Sequence, residues 1–157
     1  MKSEIRPLGR PGDLGWVVMA HGEAYAAQFG WGHDFEALVA RIAADYDPAT
    51  GGAWIAEVDG ERAGCVFCVP GDEEGTARLR VLLVLPHARG HGFGSRLVDR
   101  CVEWARASGY ERVSLWTNDV LTSARRVYEA AGFALVDQEP HDLFGKDLVG
   151  QTWVLRL

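Results

Sequence analysis

No stretch of the chain approaches the about 20 consecutive apolar residues that a membrane-spanning helix requires, and the opening MKSEIRPLGRPGD lacks the apolar centre of a secretory signal. A soluble, cytoplasmic protein with no membrane partner is expected. Cysteine is scarce: Cys65, Cys68 and Cys101 are an odd set that cannot all pair, as suits a reducing compartment. Cys65 and Cys68 spell CVFC, yet they lie inside ERAGCVFCVP, a strand pattern whose alternation sends them to opposite faces, and no second such pair exists. Buried structural thiols are the better reading, and no metal is expected. An excess of positive charge is missing too. Lys and Arg number 16 against 22 Asp and Glu, for a net charge of −6, and the basic residues are scattered, so no nucleic-acid partner is expected. Repeats, low-complexity tracts and linkers are absent, and 157 residues at 48% hydrophobic content suffice for one core without staples. The chain therefore reads as one domain over residues 1–157, a monomer or a homodimer.

What is present is a change of period along the chain. SEIRPL forms a short strand, and RPGD supplies a turn and a helix start. One helix is expected over about Leu14 to Phe29, interrupted by the small residues at HG. A second follows in GWGHDFEALVARIAADYD, with Asp34 as its N-cap and Phe35, Leu38, Val39 and Ile42 at helical spacing. Strand patterns then take over: GAWIAEVDGERAGCVFCVP is a hairpin turning at DG, and TARLRVLLVLP is the next antiparallel strand, ending at Pro86. A helix over about Gly92 to Ser108 presents Leu97, Val98, Cys101, Val102 and Ala105 on one face. The strand ERVSLWTN, the helix LTSARRVYEAAG, and the strands FALVDQEP and LVGQTWVLRL complete the chain. The order β-α-α-β-β-β-α-β-α-β-β requires the strands ending at Leu85 and Thr117 to run parallel, with their carboxyl ends on the side where open α/β sheets bind ligands.

At that end lies LLVLPHARGHGFGSRLV, a strand, a proline, three alternate glycines (Gly90, Gly92, Gly94) and a helix. The helix leaves its first N–H groups without internal partners, so an oxygen-rich anion suits the junction. Spacing separates three phosphate-binding designs. A P-loop needs Lys followed by Ser or Thr after its last glycine, and GHGFGSR has neither in place. The dinucleotide fingerprint needs a third glycine where Ser95 falls; Asp119 could imitate its ribose-binding acid, but the unit sits mid-chain behind three antiparallel strands. The third design is Arg89-x-x-Gly92-x-Gly94, in which successive backbone N–H groups make an anion nest beside a helix N-terminus.

Arg89-x-x-Gly92-x-Gly94 resembles the Arg/Gln-x-x-Gly-x-Gly/Ala motif of the GNAT acyltransferase superfamily, and SARRVYEAAGF resembles its second signature, one strand later. GWVV, SARRVYEAAGF and FGKDLVGQTW look especially like the acetyltransferase half of MarR-type regulator fusion proteins. The resemblance implies an α/β (α+β) fold: a single domain with a mixed, mostly antiparallel seven-stranded sheet, a central β-α-β crossover and four flanking helices. It implies acetyl-CoA as cosubstrate, its diphosphate on Arg89, Gly90, His91, Gly92, Phe93, Gly94 and Ser95. The strand end at Leu83, Val84 and Leu85 would pair with the pantetheine arm, up to Pro86, which cannot donate. Tyr128 matches the tyrosine that protonates the leaving thiolate.

Two positions depart from the family pattern. Leu121 stands where many relatives have a coenzyme-binding Asn, so Asn118 is the expected substitute, and ARLRVLLVL carries Arg78 and Arg80 but no carboxylate to act as base. On the acceptor side Glu23, Tyr25, Trp31 and Glu36 are candidates, with His21 and His141 as further titratable groups, and either Arg78 or Arg80 could grip a substrate carboxylate. The expected activity is transfer of an acetyl group from acetyl-CoA to a primary amine by direct attack on the thioester. The alternative is an inactive acyl-CoA-binding sensor or scaffold module, motivated by the missing carboxylate and by Leu121.

Overall fold

The computed structural model describes residues 2–157. Its element order is β1 (Ser3–Pro7), α1 (Asp13–Phe29), α2 (His33–Asp45), β2 (Gly52–Val58), β3 (Glu61–Pro70), β4 (Thr76–Val84), α3 (Phe93–Ala107), β5 (Arg112–Asn118), α4 (Thr122–Ala130), β6 (Ala134–His141) and β7 (Leu148–Arg156), with a 3-10 turn at Pro86–Ala88. The strands form one seven-stranded sheet in the order β1-β2-β3-β4-β5-β7-β6. Every neighbouring pair is antiparallel except β4 and β5, the pair joined by the α3 crossover. The β2–β3 hairpin turns on Asp59 and Gly60, both with positive φ (50° and 82°), as a two-residue turn matching the strand twist requires.

Strand alternation divides the core into two layers. Cys68, Leu79, Val113 and Leu115 pack against α3 and α4, while Cys65, Phe67, Ile55 and Leu83 pack against α1 and α2. Cys65 and Cys68 thus lie on opposite faces, both buried, as their spacing predicts. The apolar stripe of α3 (Leu97, Val98, Cys101, Ala105) is fully covered by the sheet.

Two local expectations are corrected. Helix α1 is continuous through His21-Gly22, because Gly22 is where α2 passes: a Cβ there would come 2.9 Å from the Glu36 carboxyl carbon. Asp34 does not cap α2, which begins at His33 with Gly32 at the N-cap and no side-chain cap. The start of α1 is instead fixed by an ion cluster. The buried Asp13 carboxylate accepts from Arg6 (2.8 and 2.9 Å), Arg62 Nε (2.8 Å) and the N–H groups of Gly9 (2.9 Å) and Arg10 (2.8 Å), and Arg6 Nε also donates to Glu57 (2.8 Å). Burial alone would raise the Asp13 pKa, but the hydrogen bonds from Arg6, Gly9 and Arg62 outweigh it and hold the carboxyl well below the usual carboxylate range.

The sheet opens in its centre. β4 and β5 pair only at Thr76–Arg112, Ala77–Val113 and Arg78–Ser114, whereas β5 stays paired with β7 as far as Asn118. The β3–β4 register slips between Arg80 and Leu83, and Val81 sits at φ 49°, a conformation costly for a β-branched residue. This bulge bends β4 away from β5, and Cys65 Sγ donates to the freed Val81 carbonyl (3.3 Å). Among the described residues, no helix is long and apolar enough to cross a membrane.

Candidate functional site

The gap between β4 and β5 holds two cavities. The larger, about 630 Å³, lies at the carboxyl end of β4 between the glycine loop, α1 and the start of α4. Its size falls within the about 300–1,000 Å³ of small-molecule and cofactor clefts. The smaller, about 110 Å³, lies deeper, under α2. They share Tyr25, Leu82 and Leu121 as common wall.

The glycine loop forms one end of the larger cavity. Gly90 (φ 90°) and Gly92 (φ 68°) are left-handed, and Gly92 is the N-cap of α3. Gly94 answers a different constraint, since a Cβ there would crowd Val127 Cγ2 at 3.1 Å across the α3–α4 contact. Among the described residues no protein group accepts from any amide between Gly90 and Ser95; hydrogen bonding resumes with Arg96 N–H to Gly92 O (3.0 Å). A consecutive row of free donors at the positive end of a long helix is a site for an anion with several oxygens.

Of the residues singled out in the sequence for the cofactor, Leu83, Val84, Arg89, Gly90, Gly92, Phe93, Gly94 and Ser95 line the larger cavity, and Leu85, His91 and Asn118 do not. The Leu85 N–H is spent on Ala63 O across β3 (2.8 Å), so strand alternation turns the Val84 N–H to the β5 side, where pairing has stopped. His91 packs its ring toward Phe93 (5.6 Å between centroids). Asn118 faces the smaller cavity and holds His141, whose Nε2–H donates to Asn118 Oδ1 (2.6 Å) while its Nδ1 accepts from Leu143 N–H (3.2 Å). Both His141 nitrogens are thereby used, in a tautomer assigned from these partners.

Tyr128 projects from α4 into the smaller cavity, 4% exposed, with no hydrogen-bond partner for its hydroxyl among the described residues. Burial pushes its phenol up, and the neighbouring Tyr25 and Cys101 add to the shift, so it stays a proton donor. Tyr25 is displaced the same way by its own burial. Trp31 is buried and also lines the smaller cavity, in an aromatic cluster with Tyr25 (5.5 Å), Phe35 (5.1 Å) and Phe144 (5.3 Å). Glu23 and Glu36 line neither cavity and are exposed. His21 is 1% exposed; its Nδ1–H donates to Val17 O (2.7 Å), its Nε2 has no partner, and burial lowers its pKa to about 4. Among the described residues no carboxylate lines either cavity.

Sequence reasoning missed Leu82, Thr122, Ser123 and Val127 in the larger cavity, and Phe35, Trp116 and Phe144 as walls of the smaller. One signal was available for Trp116. Gly150 on β7 has no Cβ because the Trp116 indole occupies its place, at 2.5 Å from where a Cβ would stand.

The family model described as "Acetyltransferase (GNAT) family" matches residues 18–133. An N-acetylaspartate synthetase of Danio rerio is 34% identical over 101 residues, covering 64% of this chain and 36% of that protein. An uncharacterised N-acetyltransferase of Archaeoglobus fulgidus is 32% identical over 82 residues, covering 49% of this chain and 56% of that protein. The chain thus spans roughly a third to a half of the length of these relatives. Among solved structures, an acetyltransferase of GNAT family from Staphylococcus aureus Mu50 superposes with a TM-score of 0.81 at 17% identity, covering 99% of both chains. Salmonella typhimurium yncA, with its cofactor acetyl-CoA, gives 0.71 at 19% identity, covering 99% of this chain and 94% of that one. Such identities establish a shared fold.

Proposed function

The chain belongs to the acetyltransferase (GNAT) family, and from that premise we propose that it is an N-acetyltransferase moving the acetyl group of acetyl-CoA to a primary amine. The observation that carries this reading is the row of unpartnered amides from Gly90 to Ser95 at the head of α3, opening into a cleft of about 630 Å³. The row suits the diphosphate of coenzyme A, with Arg89 beside it, and the Val84 N–H suits the amide groups of the pantetheine arm. The thioester would lie where the two cavities meet, between Tyr25, Leu82 and Leu121.

In this reading the amine nitrogen attacks the thioester carbonyl carbon directly. A C–N bond forms, the C–S bond breaks, and the electron pair leaves on sulfur. The Tyr128 hydroxyl protonates that thiolate, and its phenolate recovers the surplus proton of the new amide nitrogen. Cys101 is no covalent alternative: it lies on the buried face of α3, and desolvation raises its thiol pKa. The relatives' names differ in acceptor, an aspartate product in one and mycothiol in another, so they supply no acceptor for this chain. The narrower likeness to regulator-fusion halves rests on sequence wording alone.

The second reading, an acyl-CoA-binding module without turnover, is favoured by one observation: neither cavity holds a carboxylate to serve as base. Tyr128→Phe separates the two. The enzyme loses about 100-fold or more in kcat with unchanged coenzyme A affinity by calorimetry, because Tyr128 does not line the larger cavity. Thiol release at background with every amine, in protein that binds coenzyme A, refutes the enzyme.

A further inference from the structure

Among the described residues the smaller cavity is lined by two arginines and by no carboxylate. Arg78 and Arg80 stand two residues apart on β4, on the same side of the strand, both half-buried and both lining the cavity. Among the described residues neither guanidinium makes a salt bridge or a hydrogen bond. Burial lowers the Arg80 pKa, the Arg78 charge lowers it further, and Asp45 and Asp72 oppose this only at longer range. Two like charges in a shared apolar recess are costly unless a ligand brings the counter-charge. The remaining walls are mostly apolar, with Trp31, Phe35, Trp116 and Phe144 as their aromatic part, and the space of about 110 Å³ is far below that of a drug-sized site.

Resting on the acetyltransferase reading, we propose that the acceptor is a small amino-acid-like molecule. Its carboxylate is held by Arg78 and Arg80, its apolar side chain lies against the aromatic walls, and its amine is directed toward Tyr128. The two guanidiniums also disfavour an ammonium in the recess, so the acceptor nitrogen sheds its proton to solvent and enters neutral. They therefore assist the deprotonation for which no carboxylate is present. A protein lysine or a polyamine offers no carboxylate beside its amine and would leave the arginine pair unneutralised.

The test is a thiol-release assay with acetyl-CoA and glycine, valine, leucine and phenylalanine, each compared with its amide, its decarboxylated amine and a dipeptide carrying it first. The free acids are expected to exceed the others by about 10–100-fold in kcat/KM, the range for a hydrogen-bonded charge pair. Arg80→Gln erases that preference and leaves coenzyme A affinity intact, since neither arginine lines the larger cavity. Arg80→Lys, which keeps the charge without the planar fork, retains part of it. Amides, amines or dipeptides used as well as the acids, or a preference that survives Arg80→Gln, overturns the proposal and leaves the acetyltransferase standing. If no compound in the panel releases thiol, the thermal shift of the coenzyme A complex decides the anion site separately. Stabilisation by the free acids but not the amides, lost in Arg80→Gln, upholds it, and equal shifts or none overturn it.

Discussion

Between pH 7.5 and pH 4 this protein should lose stability through a single buried imidazole. His21 is 1% exposed, donates Nδ1–H to Val17 O, and is held neutral by burial with a pKa lowered to about 4. In the unfolded chain the same ring titrates near 6.5. Between those values the unfolded state binds the proton and the folded state does not, so unfolding takes up protons and stability falls as the pH falls. A gap from about 6.5 to about 4 is worth about 3 kcal/mol at its fullest, of which about 2 kcal/mol is lost by pH 5. The carboxylates act in a different window. Asp13 and Glu57 have depressed values, so their contributions persist above the unfolded carboxylate range near 4 and are lost only below it. Urea unfolding at pH 7.5 and pH 5.0 isolates the histidine. For a urea m-value near 2 kcal/mol/M, the wild-type midpoint should drop by about 1 M. His21→Leu and His21→Gln, whatever their stability at pH 7.5, should remove most of that drop. A variant whose midpoint falls with pH as steeply as wild type would refute the reasoning.

Two other substitutions probe the frame around the site. Asp13→Ala strips the carboxylate from four donor residues and leaves Arg6 buried beside Glu57 alone, so a loss of about 3–5 kcal/mol at neutral pH is expected in urea unfolding. Gly94→Val drives a side chain into Val127 at the α3–α4 contact, which should cost about 1–3 kcal/mol, lower Tm by roughly 2–10 °C and weaken coenzyme A binding. Wild-type Tm and affinity in Gly94→Val would show that this glycine is not needed for helix approach.

The order of elements was legible because each carries its own period. Helical spacing of Leu97, Val98, Cys101 and Ala105, the Asp59-Gly60 turn, and the opposed faces of Cys65 and Cys68 are local facts, and the fold reproduces them. The opening between β4 and β5 was not legible. VLLV is apolar at every position, so it gives no parity signal by which an extra residue could be noticed, and the left-handed Val81 leaves no glycine to mark it. The continuity of α1 was misread for the opposite reason. Gly22 looks like a breaker in isolation, and only the passage of Glu36 from another helix explains it.

The same distinction divides the two cavities. The proposed diphosphate site is built of main-chain N–H groups, and a backbone that turns left-handed at Gly90 and Gly92 and then passes close to another helix at Gly94 favours glycine at fixed spacing. That requirement is written within a few residues and can be read there. The smaller cavity, proposed for the acceptor, is made of side chains from α1, α2, β4, β5, α4 and the loop after β6, and no short window contains it. Asn118 shows the consequence. It stands near the glycine loop in the order of elements, yet its amide faces the other cavity and engages His141, because β5 has separated from β4 before Asn118 is reached. On the proposed reading, what decides the acceptor is the angle between two strands, and through it the side of the gap to which Arg78, Arg80 and Tyr128 are turned.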